Sequence, residues 1–218
     1  MKKAILFDLD GTLIHSLPEI AAAANRMLRE RGYPEKPEDE YRYLVGRGAR
    51  QLITGALPED VARNPVLFEQ ALARYIQCYD QTLSDSLPYE GIAEMLDELK
   101  RTGYLLAVVS NKRDGWSKRL IREAFGGRFD CVMGERPDIP AKPDPALPLL
   151  ILSELGVARE NCVFVGDTSV DMETAVNGGL YPLGVAWGFR PWELDAAGAK
   201  RVVEHPWEMI DAVVEILG

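Results

Sequence analysis

The sequence predicts an α/β protein with a doubly wound, mostly parallel sheet and an all-helical domain inserted after the first strand. Apolar runs without polar alternation, such as Ala4–Phe7, are typical of strands covered on both faces. From residue 90 onward, strand and helix patterns alternate, which indicates crossovers within a parallel sheet. Residues 16–84 contain only helical patterns, and a helical block of this size fits an inserted domain better than a single crossover.

The insertion contains three predicted helices. The first covers residues 17–31, with Pro18 in a position that suits a first helical turn and Gly32 in one that suits a helix end. The second and third cover residues 41–56 and 66–79, joined by a Pro-rich link.

The remaining chain forms the predicted α/β core. The boundaries are placed at residues 1–15 and 86–218 for the core and at residues 16–85 for the helical domain. Beyond the insertion, the predicted elements are a helix at 92–101, a strand at 105–109, a helix at 116–125, a strand at 129–133, a helix at 146–155, a strand at 162–165, a helix at 169–177, a strand at 183–186 and a helix at 207–217.

Composition narrows the possible partners and the compartment. The net charge of −9 repels nucleic acid and anionic membranes, so neither is expected as a partner, and an anionic substrate would need a locally positive site. Cys78, Cys131 and Cys162 are scattered, which favours reduced thiols and a cytoplasmic location. The apolar run before Asp8 is too short for a signal peptide or a membrane span.

Two acids follow the first strand directly. Asp8 and Asp10 are two residues apart, so on an extended chain their side chains point the same way. Gly11 permits a sharp turn after them, and Thr12 adds a hydroxyl group. Asp and Gly are also common turn formers, so the pair alone is compatible with a simple strand end.

Polar residues follow two other predicted strands. Ser110 and Asn111 follow the strand at 105–109, and Asp167 follows the strand at 162–165, with Asp171 one helical turn later. Singly, these residues fit helix caps or acids at a helix start. Together they point to a site, because ligands of parallel sheets bind beyond the carboxyl ends of the strands.

The residue types at these strand ends favour Mg²⁺. Four carboxylates near one point repel each other unless a cation is present, and an all-oxygen set suits Mg²⁺. The only histidines, His15 and His205, are too few and too far apart in sequence to suggest zinc. Lys142 directly precedes Pro143 in a loop that prolines make rigid. It either presents a fixed ammonium to a phosphoryl group or is a solvated lysine.

In their order along the chain, these motifs resemble the four motifs of the haloacid dehalogenase (HAD) superfamily, whose core is Rossmann-like and whose cap is inserted after the first motif. The motifs are Asp8-Leu9-Asp10-Gly11-Thr12, Ser110, Lys142-Pro143 and Gly166-Asp167-x-x-x-Asp171. The stretch from Leu183 to Arg190 adds a similarity to the phosphoglycolate phosphatase-like branch. Members of the superfamily commonly have Asp where this chain has His15, near the hinge of the cap.

The resemblance implies a role for each motif residue. Asp8 is the expected nucleophile and Asp10 the expected general acid and base. The expected Mg²⁺ ligands are Asp8, the backbone carbonyl of Asp10, Asp167 and Asp171. The expected substrate-binding residues are Thr12, Ser110, Asn111 and Lys142, with Arg47 or Arg50 of the cap meeting a substrate carboxylate or else exposed to solvent.

The expected function is therefore a Mg²⁺-dependent phosphatase acting on a small phosphorylated metabolite through an aspartyl-phosphate, as a monomer or homodimer. A sugar phosphomutase of the β-phosphoglucomutase kind shares the motifs. Carbon–halogen hydrolysis needs no leaving-group acid, so Asp10 disfavours it. A non-catalytic binding module on the same fold is the remaining alternative.

Overall fold

A six-stranded, wholly parallel sheet forms the centre of the fold. The computed structural model describes residues 1–218, and the strand order is β5-β4-β1-β6-β7-β8. The strands are β1 (Ala4–Phe7), β4 (Leu105–Arg113), β5 (Cys131–Glu135), β6 (Cys162–Gly166), β7 (Tyr181–Val185) and β8 (Arg201–Val203). From β1 the chain adds β4 and β5 on one side of the sheet and then β6, β7 and β8 on the other. The order of strand addition therefore reverses beside β1.

Helices cover both faces of this sheet, as the unbroken apolar strands predicted. Ile5 and Phe7 of β1 belong to a cluster of 46 buried residues, whereas Ala4 and Leu6 belong to a second cluster of 13 on the opposite face. The first cluster includes side chains of α5 (Ile92–Arg101), α6 (Asp114–Phe125) and α9 (Glu208–Leu217), and the second those of α7 (Ala146–Leu155) and α8 (Ser169–Gly178).

Only helices and turns lie between Leu17 and Asp85. The four α-helices of this segment are α1 (Leu17–Glu30), α2 (Gly48–Ala56), α3 (Glu59–Arg63) and α4 (Pro65–Thr82). The segment leaves and rejoins the core through a two-stranded antiparallel ribbon of β2 (Ile14–His15) and β3 (Leu87–Pro88). The large apolar cluster is continuous from β1 to α4, so the division at residues 16–85 into a separate cap domain stays a prediction.

Several predicted elements differ from the structure. The helix predicted at residues 41–56 is wrong in its first half, where a 3₁₀ turn at Glu38–Tyr43 is separated from α2 by residues 44–47, with Gly46 at a φ of 110°. A right-handed helix cannot pass through such an angle. Strand β4 continues past residue 109 to Arg113, and the three-residue edge strand β8 was not predicted.

Arg190, in the loop after β7, ties the helical segment to the core. Its guanidinium is buried and donates hydrogen bonds to the backbone carbonyls of Arg42 and Val45, while its Nε pairs with Glu193 at 3.1 Å. Glu193 in turn accepts from the Ser169 hydroxyl at the start of α8. One side chain thus joins the loop before α2 to the loops at the carboxyl edge of the sheet.

We expect Arg190→Met to lower the free energy of unfolding by about 1–3 kcal/mol, because two carbonyls lose their donor. Urea unfolding at neutral pH measures this. Arg201→Met is the matched control, because the Arg201–Glu215 pair lies at the surface and its loss costs below about 1 kcal/mol. Equal losses in the two variants would contradict the proposed tether.

Candidate active site

Asp8 and the turn after it lie at the carboxyl end of the central strand. The Asp8 amide donates to the Val165 carbonyl of β6 at 2.9 Å, so the sheet ladder positions the first acid of the motif. Gly11 follows at φ 88°, and a Cβ built on it would lie 2.3 Å from Oδ2 of Asp167. Only glycine therefore allows the turn to pass beside that carboxylate.

Three carboxylates converge at this edge of the sheet. Oxygens of Asp8, Asp167 and Asp171 lie within 4.8 Å of one another, and all three residues are buried. Asp167 is fixed from both sides, because the Thr12 hydroxyl donates to its Oδ1 at 3.0 Å and the Phe189 amide donates to its Oδ2 at 2.7 Å. The predicted acids from β1 and from the β6–α8 turn thus meet at one point.

Lys142 supplies the single ammonium inside this cluster. Its Nζ lies 2.7 Å from Oδ1 of Asp8 and 2.7 Å from Oδ1 of Asp171. Asn111 holds the lysine backbone, accepting from its amide at 2.8 Å and donating to its carbonyl at 2.9 Å. Asn111 also donates to the Gly46 carbonyl at 2.9 Å, so one amide links the lysine loop to the helical segment.

The acid cluster carries more negative charge than its lysine can balance. Burial, opposed by Lys142 and aided by Asp171, raises the pKa of Asp8 to about 7. Burial and the charges of Asp171 and Asp8 raise the pKa of Asp167 well above its ordinary range. Burial works against the charged form of Lys142, but Asp171 and Asp8 outweigh it and raise the lysine pKa. Such a set of oxygen donors fits a hard divalent cation, and Mg²⁺ suits it.

Asp171 is both an acid at the start of a helix and a member of the acid cluster, the two interpretations that the sequence left open. Its Oδ2 accepts from the Thr168 amide at 3.1 Å and the Thr168 hydroxyl at 2.8 Å, as an acid in the first turn of α8 should. Its Oδ1 faces Lys142. The helix cap therefore orients the carboxylate toward the cluster, and the structural and site roles share one side chain.

The Asp10 side chain lies outside the cluster. Its Oδ1 pairs with Nζ of Lys112 at 2.8 Å and accepts from the Ser16 hydroxyl. The carboxylate of Asp10 is not part of the group formed by the other three acids. This agrees with the expectation that Asp10 would bind a metal through its backbone carbonyl alone. This separation suits a group that exchanges protons rather than one that binds a cation.

A small cavity of about 40 Å³ opens beside these residues. Asp8, Asp10, Ser110 and Asn111 line it, and its far wall is built from residues of the helical segment. The Ser110 hydroxyl accepts from the Lys112 amide at 3.1 Å, within β4 and not at the start of α6. The Thr12 hydroxyl donates a hydrogen bond to Asp167, and Thr12 does not line the cavity.

The predicted arginines of the helical segment lie elsewhere. Arg47 is exposed and does not line the small cavity, and Arg50 pairs with Glu69 at 2.6 Å on the surface. His15 lies in the two-stranded ribbon, with its ring edge-on to Tyr89 at 5.4 Å between centroids. The structure thus places His15 in packing and leaves both arginines without a contact to the acid cluster.

Sequence reasoning missed Lys112, Tyr79 and Arg190. Lys112 lies one residue beyond Asn111, and its distance in sequence from Asp10 hid the ion pair. Tyr79 meets Lys112 from α4, 33 residues away in sequence. Arg190 is the last residue of the stretch from Leu183 that resembles the phosphoglycolate phosphatase-like branch. No local sequence pattern predicts its contact with the Arg42 carbonyl.

Comparison with known proteins identifies the family. The sequence model of "Haloacid dehalogenase-like hydrolase" matches residues 5–185. The chain belongs to this family. The chain is also 33% identical over 211 residues to a phosphoglycolate phosphatase of Pseudomonas putida, with 94% of this chain and 77% of the relative covered. It is 32% identical over 216 residues to an N-acetylmuramic acid 6-phosphate phosphatase of Pseudomonas aeruginosa, with 97% and 94% covered.

Solved structures of HAD-like proteins share the fold. A haloacid dehalogenase-like family hydrolase from Streptococcus pneumoniae superposes with a TM-score of 0.87 at 24% identity, over 97% of this chain and 98% of that one. The predictions of the superfamily, of the doubly wound core and of a hydrolase of the phosphatase type are therefore confirmed. No helix of this HAD-like hydrolase combines the length and apolar character needed to span a membrane.

We expect the metal-free HAD-like hydrolase to lose stability as the pH rises from about 5.5 to about 8. Folded Asp8 keeps its proton up to a pKa of about 7, whereas the unfolded residue ionises near 3.8, so the folded state holds more protons in this interval. Thermal unfolding in a chelating buffer measures the slope, and added Mg²⁺ should raise the midpoint most at the alkaline end.

The matched variants for that measurement are Asp167→Asn and Asp85→Asn. The first removes one of the three carboxylates, so it should shrink the gain in midpoint from Mg²⁺. Asp85 is exposed and should leave this gain unchanged. A Mg²⁺ response that survives Asp167→Asn intact would contradict a metal site at the three carboxylates.

Proposed function

We propose that this HAD-like hydrolase is a Mg²⁺-dependent phosphatase that hydrolyses a small, phosphoglycolate-like phosphomonoester through an aspartyl-phosphate. The observation that carries the proposal is Lys142, buried between Asp8 and Asp171, with Asp8 itself lining a cavity that Asp10 and Ser110 also line. Phosphoryl transfer requires mainly positioning and charge neutralisation, and this arrangement supplies both.

Asp8 is suited to attack phosphorus. One of its carboxylate oxygens forms a bond to phosphorus while the bond from phosphorus to the leaving oxygen breaks. The ammonium of Lys142, 2.7 Å from Asp8, is placed to neutralise a phosphoryl oxygen, and the Ser110 hydroxyl lines the same cavity. These groups hold the phosphoryl group in position for attack.

Asp10 serves both half-reactions. Protonated, it gives its proton to the leaving oxygen; ionised, it then takes a proton from water, whose oxygen attacks the phosphorus and releases Asp8 and phosphate. Its separation from the acid cluster, at Lys112 and Ser16, leaves it available for that exchange.

Mg²⁺ would be held by Asp8, Asp167 and the backbone carbonyl of Asp10, with Asp171 beside them. When bound, it would supply charge neutralisation for the phosphoryl oxygens. The buried excess of carboxylate over ammonium supports this assignment, because three buried acids converge while the one lysine among them pairs with only two, Asp8 and Asp171.

Among the alternatives, a sugar phosphomutase shares the motif residues, and the product of the reaction distinguishes it from a phosphatase. The presence of Asp10 beside the cavity disfavours carbon–halogen hydrolysis, which needs no leaving-group acid. A non-catalytic module would have no need for so many buried acids, which cost stability.

We expect Asp8→Asn to reduce phosphate release from 2-phosphoglycolate in Mg²⁺ buffer to background, because an amide is not a nucleophile at phosphorus. Asp10→Asn should reduce kcat by about 10²- to 10⁴-fold, the usual worth of a general acid. Asp85→Asn, exposed and distant in sequence from the motifs, is the control.

Two further results bear on the covalent step. Mass spectrometry after an acid quench should find the phosphate adduct on the peptide that contains Asp8 in the wild type and not in Asp8→Asn. Wild-type turnover by Asp8→Asn would refute the nucleophile, and isomerisation of a sugar phosphate without release of phosphate would favour the mutase.

A further inference from the structure

Lys112 is a second buried lysine of the site, and the proposed mechanism does not use it. Its side chain is only 4% exposed, and its Nζ lies 2.8 Å from Oδ1 of Asp10 and 2.8 Å from the Tyr79 hydroxyl. A buried ammonium is costly unless its surroundings compensate for the water that it loses. Asp10 and Tyr79 supply part of that compensation.

The ammonium has one donor left over. A lysine Nζ carries three N–H groups, and Asp10 and Tyr79 account for two of them. No other protein acceptor lies within hydrogen-bond distance, and Lys112 lines the small cavity. The cavity wall carries apolar side chains such as those of Ile20 and Leu52, and its other cation, Arg113, has its guanidinium over the Trp116 ring. An anionic group in the cavity would meet Lys112 there.

The position of Lys112 relative to Asp10 indicates which part of a substrate it would meet. Asp10 is the group that protonates the leaving oxygen, so Lys112, in contact with Asp10, lies beside the leaving group and not beside the phosphoryl group. A carboxylate attached to the carbon next to the leaving oxygen is only two bonds of about 1.5 Å from that oxygen. Such a carboxylate can reach the free donor of Lys112.

We infer that Lys112 is a specificity-determining residue that binds a carboxylate of the leaving group. This inference rests on the proposed phosphatase function. Lys112 and Asp10 line the same cavity, so a leaving group that reaches Asp10 also reaches Lys112. Tyr79 and Asp10 hold the ammonium in place from opposite elements, α4 and the turn after β1.

The test compares two esters of equal size in the wild type and in Lys112→Met. The esters are 2-phosphoglycolate and its amide, 2-phosphoglycolamide, which has no charge on the leaving group. We expect the wild type to prefer the acid in kcat/KM by about 10- to 100-fold, the worth of one charge-assisted hydrogen bond, and Lys112→Met to bring the ratio close to one. Lys118→Met, an exposed lysine of α6, should preserve the ratio.

The ratio separates recognition from positioning. If Lys112 only positions Asp10, both esters slow equally in Lys112→Met and the ratio is unchanged, which would overturn the inference. Lys112→Gln, which keeps a donor near Asp10 but loses the charge, is the second variant should the methionine variant fail to fold, and the same collapse of the ratio is expected.

The wild type alone also tests the inference. Equal turnover of the two esters, or turnover of p-nitrophenyl phosphate with neither ester accepted, would overturn the role of Lys112 and leave the phosphatase standing. Failure to hydrolyse any phosphoester in Mg²⁺ buffer would refute the proposed function itself, and the inference with it.

Discussion

The rest of the site depends on a buried imbalance of charge: the carboxylates of Asp8, Asp167 and Asp171 converge, and the single ammonium of Lys142 pairs with Asp8 and Asp171. Carboxylates at this density repel one another, and burial removes the water that would screen them. The fold therefore has to hold each acid by other means. The sheet ladder holds Asp8, the Thr12 hydroxyl and Phe189 amide hold Asp167, and the cap of α8 holds Asp171.

Close packing of backbone around Asp167 is a consequence of that constraint. A Cβ built on Gly11 would lie 2.3 Å from its Oδ2, and one built on Gly188 would lie 2.1 Å from its Cβ. The two turns can approach the carboxylate only because neither residue has a side chain. The turns at Gly11 and Gly188 thus help to bury Asp167, and burial strengthens the charge interactions around it.

The helical segment is joined to this charged centre by backbone carbonyls rather than by its own charged side chains. Asn111 connects the Lys142 loop to Gly46, and Arg190 connects the loop after β7 to Arg42 and Val45. Both donors come from the core. The side-chain amide of Asn111 therefore couples the position of the loop before α2 to the position of Lys142 in the acid cluster.

The sequence by itself determined the architecture and the acidic set. Local patterns decided the bounds of β1, α5 and α7, and strand-end acids predicted the meeting of Asp8 with Asp167, because parallel strands present their carboxyl ends at one edge. The positive φ of Gly46 interrupts the longer helix that apolar periodicity alone predicted, since periodicity does not report φ.

Only the tertiary structure decided which charges are paired. Asp10 faces Lys112 rather than the other acids, and Tyr79 of α4 holds that lysine. Arg190 binds carbonyls of the helical segment. These contacts join residues that are between 33 and 148 positions apart. No local propensity encodes such contacts. They arise when the helical segment packs against the carboxyl edge of the sheet, and burial then selects the partner of each polar group.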